Sequence, residues 1–151
     1  MSISASRSTA FSARVLLINH NHSGLAARKA ILEELGCRVS TASSGEHAWE
    51  QLSSSRFELV VTEYKMGKMT GAELIQKIRG LEPGVPVILL SGYVEALGLT
   101  ESTTGADIVL AKGPNEVTHL IRAVSRLLKR GFRKPVRSQR KASAAAARKS
   151  S

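Results

Sequence analysis

The sequence predicts an α/β fold, one domain built on a parallel sheet of five strands with helices on both faces. Three observations predict it. Five short apolar runs rich in branched residues recur along the chain. Segments with apolar residues at helical spacing separate them. Pro, Gly and Ser punctuate several of the junctions. Strands that alternate with helices imply crossover connections, and right-handed crossovers give a parallel sheet.

The first run, RVLLIN at residues 14–19, shows no polar alternation, as a strand covered on both faces does not. A helix follows over residues 23–35, with Leu25, Ile31, Leu32 and Leu35 in its apolar stripe, Asn21 or Ser23 as its cap and Gly36 as its stop. Residues 38–42 form the second strand. Ser44 caps a helix through Leu52 whose inner face carries Ala48, Trp49 and Leu52. The third strand is ELVVTE, residues 58–63. The loop YKMGKMTG leads to a helix with Leu74, Ile75 and Ile78 inward, and Pro83, Gly84 and Pro86 break the chain before the fourth strand, 87–91. Between Gly92 and Ala106, two glycines and three threonines leave little helix propensity, so a short or mobile helix is expected. Residues 107–111 are the last strand. The final helix starts near Asn115 and turns Val117, Leu120, Ile121, Val124, Leu127 and Leu128 to one side.

Composition bounds the chemistry. The 151 residues carry a net charge of +10, but the charge is uneven. Residues 15–128 sum to −1, whereas residues 129–151 hold nine bases and no acid. The basic character therefore belongs to the tail and says nothing about the fold. Of twelve acids only Asp107 is an aspartate, which excludes any mechanism that needs an aspartate pair. The lone Cys37 excludes an internal disulfide and is read as a small buried residue. No apolar run approaches the ~18 residues of a membrane span. The Ser-rich, Arg-containing start is expected to be a disordered leader over residues 1–13, followed by the domain over 14–130 and a disordered basic tail over 131–151.

In a parallel sheet all strand C-terminal ends share one edge, which is where ligand sites of such sheets lie. Asn19, Glu63, Ser91 and Lys112 fall on that edge at four strand ends. At this point the segments VLLINHN, TASSGEHAWEQL, ELVVTEYKMGKMTGAELIQKIR, PVILLSGY and GADIVLAKGPNE, in this order and spacing, resemble the receiver domains of bacterial two-component response regulators over roughly residues 14–130. The resemblance implies a flavodoxin-like sheet of order 2-1-3-4-5 and a phosphorylation pocket on the strand edge.

The pocket residues depart from the family's pattern. The family places two metal-holding acids after the first strand, where this chain has Asn19 and His20. The phosphoacceptor aspartate is replaced by Glu63. Ser91 and Lys112 match, but Gly113 separates the lysine from Pro114, Val109 stands at the aromatic switch position, and Gly67 replaces the usual proline of the third loop. Mg²⁺ prefers oxygen ligands including carboxylates, which Asn19 and His20 do not supply. The Mg²⁺ site is therefore expected to be lost and no cofactor is expected.

Glu63 has two readings: a built-in mimic of the phosphorylated state, or a group that neutralises Lys112. His20 and His22, without a nearby Cys or Asp, are a weak signal for a metal site and are read as polar loop residues. His47 and His119 are read as surface residues and Trp49 as core. The tail is read as solubilising or as an electrostatic contact for nucleic acid or an acidic partner.

The expected function is a pseudo-receiver in phosphorelay-type signalling, cytoplasmic, without enzymatic activity, working through a signalling protein partner and independent of phosphorylation. Two alternatives stand beside it: a working phosphoacceptor of a histidine-kinase phosphorelay, and a nucleic-acid-binding protein that acts through the basic tail.

Overall fold

The computed structural model describes residues 12–133. Strand β1 (Arg14–Ile18) leads to helix α1 (His22–Glu34), then β2 (Arg38–Ala42), α2 (Gly45–Ser54), β3 (Leu59–Glu63), α3 (Gly71–Leu81) and β4 (Val87–Ser91). Two single turns, α4 (Val94–Leu97) and α5 (Glu101–Thr104), precede β5 (Ile108–Ala111) and the long α6 (Glu116–Arg133). All pairings are parallel, and the sheet order is β2-β1-β3-β4-β5. This is the expected order. The threonine- and glycine-rich stretch holds no more than single helical turns, as its low propensity foretold.

Strand alternation divides the core into two layers. Val15, Leu17, Leu59, Val61, Ile88 and Leu90 point to the face covered by α1 and α6, against Leu25, Leu32, Leu120, Val124 and Leu127. Leu16, Ile18, Val60, Val87 and Leu89 point to the other face, against Ala48, Leu52, Leu74, Ile75 and Ile78. The side-chain period of two in each strand makes this division. Central strands β3 and β4 are buried at every residue, whereas edge strand β5 is only half-buried.

Several local expectations need correction. Ala13 is buried and its carbonyl accepts the Arg38 N–H at 2.8 Å, so the folded unit begins before residue 14. Helix α6 runs to Arg133, past the expected boundary at 130. The remainder of the leader and tail expectations lies outside the described residues. Val117 is 48% exposed, because the first turn of α6 precedes the packed stretch that starts at Leu120. Trp49 is half-buried at the margin of its layer, with the Lys77 ammonium 4.9 Å from its ring centre. Of the two candidate caps, Asn21 caps α1 by accepting the Gly24 N–H at 3.0 Å. The single aspartate is structural. Asp107 accepts the Val87 N–H at 2.8 Å and pairs with Arg79 at 2.9 Å, and Arg79 also donates to the carbonyls of Pro83, Val85 and Gly105.

Gly71 allows a close backbone approach. Its N–H donates to the Tyr64 carbonyl at 2.6 Å, and a Cβ there would lie 2.1 Å from the Glu63 carbonyl oxygen and 2.7 Å from Leu89 Cδ1. Backbone cannot yield as a flexible side chain can. Gly71→Ala should therefore cost about 2–3 kcal/mol in urea unfolding. Gly80→Ala, with open space around the Cβ, should be neutral or stabilise by up to about 1 kcal/mol.

Cys37 is buried, and burial pushes its thiol up from 9.0 to about 11. A thiol whose folded pKa is raised favours folding while it stays protonated. That contribution is present below pH 9 and is lost as the pH rises to about 11. A disulfide reagent at pH 8 should label Cys37 only at the rate of opening or unfolding, and fast stoichiometric labelling of the native chain would contradict this.

Candidate functional site

Two of the four strand-end residues, Glu63 and Lys112, meet two groups not expected from the sequence, Arg28 and Glu116. The C-terminal residue of β3, Glu63, is 4% exposed, although an ionised carboxylate is seldom buried without a partner. Its Oε2 lies 2.6 Å from Lys112 Nζ and 3.6 Å from an Arg28 guanidinium nitrogen. The Lys112 contact lies off the direction of a hydrogen bond, so it is an ion pair rather than a directed bond. Arg28 reaches further. Its Nε donates to Glu116 Oε2 at 2.8 Å, and a second guanidinium nitrogen lies 2.7 Å from the same oxygen. Two acids and two bases thus form one cluster, Lys112–Glu63–Arg28–Glu116, tying β3, α1, the end of β5 and the first turn of α6.

Strand parity brings the cluster together. Glu63 continues the side-chain row of Leu59 and Val61, and Lys112 that of Ile108 and Leu110, both on the face that α1 and α6 cover. Arg28 stands three residues after Leu25 and four before Leu32, inside the buried stripe of α1. A guanidinium in that stripe needs an acid, and this was the available sequence signal: a base at a core position facing a sheet that ends in a glutamate. Glu116 had a weaker signal, an acid in the first turn of a helix, where the helix dipole favours it.

The other expected residues are placed as follows. Asn19 is buried and its Oδ1 accepts the Asn21 N–H at 2.9 Å. A Cβ at Gly24 would meet Asn19 Nδ2 at 2.7 Å and an Arg28 nitrogen at 3.2 Å, so α1 fits closely over both. His20 and His22 are exposed, and among the described residues no three His, Cys, Asp or Glu side chains converge. Ser91 is buried, and its Oγ accepts the Tyr93 N–H at 2.9 Å. No hydrogen bond among the described residues joins Ser91 to Glu63. Lys112 is 35% exposed. Val109 is half-buried, and its N–H donates to Glu101 Oε2 at 2.9 Å. Over the rim, the Lys65 ammonium lies 4.6 Å from the Tyr93 ring centre and links the loops after β3 and β4. Gly67 has φ +89°, which the proline expected there by resemblance could not adopt, so this loop takes its own path.

Chemically, the cluster balances its own charge. The Glu63 carboxylate already faces two cations, so its attacking capacity is reduced.

Comparisons with known proteins agree with this fold. The family model described as the response regulator receiver domain matches residues 15–125. The gliding motility regulatory protein of Myxococcus xanthus is 30% identical over 117 residues, 76% of this chain and 15% of that protein. The transcriptional regulatory protein ZraR of Escherichia coli K12 is 30% identical over 79 residues, 52% of this chain and 18% of that protein. The chain thus spans less than a fifth of the length of these relatives. Among solved structures, the response regulator TrrA of Thermotoga maritima in complex with Mg²⁺-BeF superposes with a TM-score of 0.70 and 28% identity, covering 77% of this chain and 99% of that one. A receiver domain from Clostridium thermocellum gives a TM-score of 0.70 at 27% identity, covering 80% and 97%.

Proposed function

This chain belongs to the response regulator receiver domain family of two-component signalling, and from that premise we propose that it signals without being phosphorylated, through contact with a signalling protein. One observation carries the reading: Glu63, at the phosphoacceptor position, is buried between Lys112 and Arg28.

The donor set does not fit the Mg²⁺ that the family implies. The ion prefers near-octahedral oxygen ligands with carboxylates among them. Asn19 offers only a neutral amide oxygen, which also accepts the Asn21 N–H, His20 is exposed and offers nitrogen, and the one carboxylate at the acceptor position faces two cations. A divalent ion brought beside Glu63 would meet Arg28 and Lys112 at short range, where like charges repel strongly. The guanidinium supplies within the protein the positive charge that a metal would bring.

Of the two readings of Glu63, the neutralising role has the better support. A mimic of the phosphorylated state would engage Ser91, yet among the described residues no hydrogen bond joins the Ser91 hydroxyl to Glu63 and that oxygen accepts the Tyr93 N–H, and it would need an aromatic readout where Val109 stands. The chain then acts as a fixed docking unit, not as an enzyme. Among the described residues no helix is long and apolar enough to cross a membrane, and we place the signalling role in the cytoplasm.

The test uses the intact protein. Calorimetric titration with Mg²⁺ to millimolar concentration should give no one-to-one isotherm. Incubation with acetyl phosphate and Mg²⁺ should give no phosphoryl adduct by mass spectrometry. An adduct on wild-type Glu63 would overturn the reading in favour of a working phosphorelay receiver.

A further inference from the structure

The exposed side of α6 carries a charge pattern that the pocket does not use. His119, Arg122, Arg126 and Lys129 are all exposed and follow one another at steps of three, four and three residues. At 3.6 residues per turn they fall within an arc of about 80°. The opposite side of the same helix, with Leu120, Val124, Leu127 and Leu128, is buried in the core. None of the ion pairs among the described residues involves Arg122, Arg126 or Lys129. No acid occurs in the sequence after Glu116, and the nine bases of residues 129–151 continue the same sign.

We propose that this stripe of α6 is a phosphate-contact surface for duplex DNA. The partner follows from the chemistry of the surface. Arg122 to Lys129 spans about 10 Å along the helix at 1.5 Å per residue. Phosphates on one strand advance about 3.4 Å along the duplex axis, so three cations over that length face about three phosphates. A uniform row of charge suits a uniform row of phosphates. Two of the three cations are arginines, whose guanidinium forks match phosphate oxygens. A membrane surface fits poorly, because an interfacial helix needs a free apolar face and the apolar face of α6 is buried in the protein. An acidic protein partner fits poorly as well, since the stripe offers none of the apolar or aromatic anchors on which protein interfaces rely. With no reading residue apart from backbone-directed cations, the contact is expected to be indifferent to base sequence.

The test compares the full-length protein with its Arg122→Gln/Arg126→Gln/Lys129→Gln variant on a 30-base-pair duplex of arbitrary sequence, over a salt series. The wild type should bind with an affinity that falls steeply with salt. The variant should weaken at least about tenfold in affinity, and the log–log salt slope should fall in magnitude by about 2–3, at about 0.9 for each phosphate no longer neutralised. Arg122→Lys/Arg126→Lys should keep the wild-type slope, which separates charge from structure. Thermal unfolding of each variant checks the fold, since all three positions are exposed. An unchanged slope and affinity in the triple Gln variant would overturn the proposal and leave any binding to the segment after α6. Tighter binding to poly-glutamate or to phosphatidylserine vesicles than to the duplex would overturn it too.

Discussion

Arg28→Met should destabilise the fold by about 3–5 kcal/mol, the loss usual when one partner of a buried charge pair is removed. Methionine keeps an unbranched stem in the stripe of α1, so the loss is electrostatic rather than one of packing. Without the guanidinium, Glu63 keeps only Lys112, which is itself 35% exposed, and Glu116 is deprived of both its charge-assisted partners on Arg28. The cluster passes from balanced to net negative inside a largely dry region, where the cost of an uncompensated charge is greatest. Urea unfolding measures the effect through a drop in midpoint at constant slope. Arg28→Met combined with Glu116→Gln should recover part of the loss, because it restores the balance of one acid and one base. Lys29→Ala, which breaks an exposed pair one residue away, should cost less than about 1 kcal/mol. A loss below about 1 kcal/mol for Arg28→Met would mean that the cluster is solvated and would remove the basis for an internal cation.

The second large effect is a gain of chemistry. Changing Asn19→Asp, His20→Asp and Glu63→Asp restores the acids of the family pattern, yet this triple variant should still bind Mg²⁺ poorly. Arg28 remains beside the acceptor position and offers the new carboxylates a partner without any metal. Adding Arg28→Gln to the triple change removes that competing cation while keeping a polar stem. The quadruple variant should then bind Mg²⁺ and accept a phosphoryl group from acetyl phosphate. Its labelling should exceed that of the wild type by on the order of a hundredfold or more, the scale set by placing a nucleophile correctly. Ser91 and Lys112 already stand at the ends of β4 and β5. Single changes should do little, because acids and acceptor act as a unit. The readout is a labile phosphoryl adduct on residue 63 by mass spectrometry, with Mg²⁺ affinity by calorimetry. Equal labelling of the triple and quadruple variants would show that Arg28 does not govern the pocket. A folded quadruple variant without metal affinity would place the obstacle in the loop around Gly67, whose φ of +89° no proline can adopt.

Much of the fold was legible because its signals are local. The strands at 38–42 and 87–91 were read to the residue, since short branched runs between breakers leave little choice. The weak helix after β4 was legible from its threonines and glycines. Val117 is exposed and Trp49, though packed on the core, is only half-buried for one reason: apolar character and helical spacing show which face a residue shares, not how far the packed layer extends along that face. The pocket was legible as a set of strand ends but not as a charge cluster. Comparison of Asn19, His20 and Glu63 with the family's acids revealed what was missing. Nothing in that comparison pointed to what had entered.

By itself the sequence determined the alternation of strands and helices, the edge on which Asn19, Glu63, Ser91 and Lys112 lie, and the absence of an aspartate pair. These follow from period, handedness and composition, which act within a segment or on the chain as a whole. Only the tertiary structure decided that Arg28 and Glu116, 88 residues apart, meet over Glu63. That contact depends on α1 and α6 covering the same face of the sheet and on β3 ending with its glutamate turned toward that face. A buried charge is tolerated only where partners from distant segments arrive together, and their arrival is a property of the packed whole.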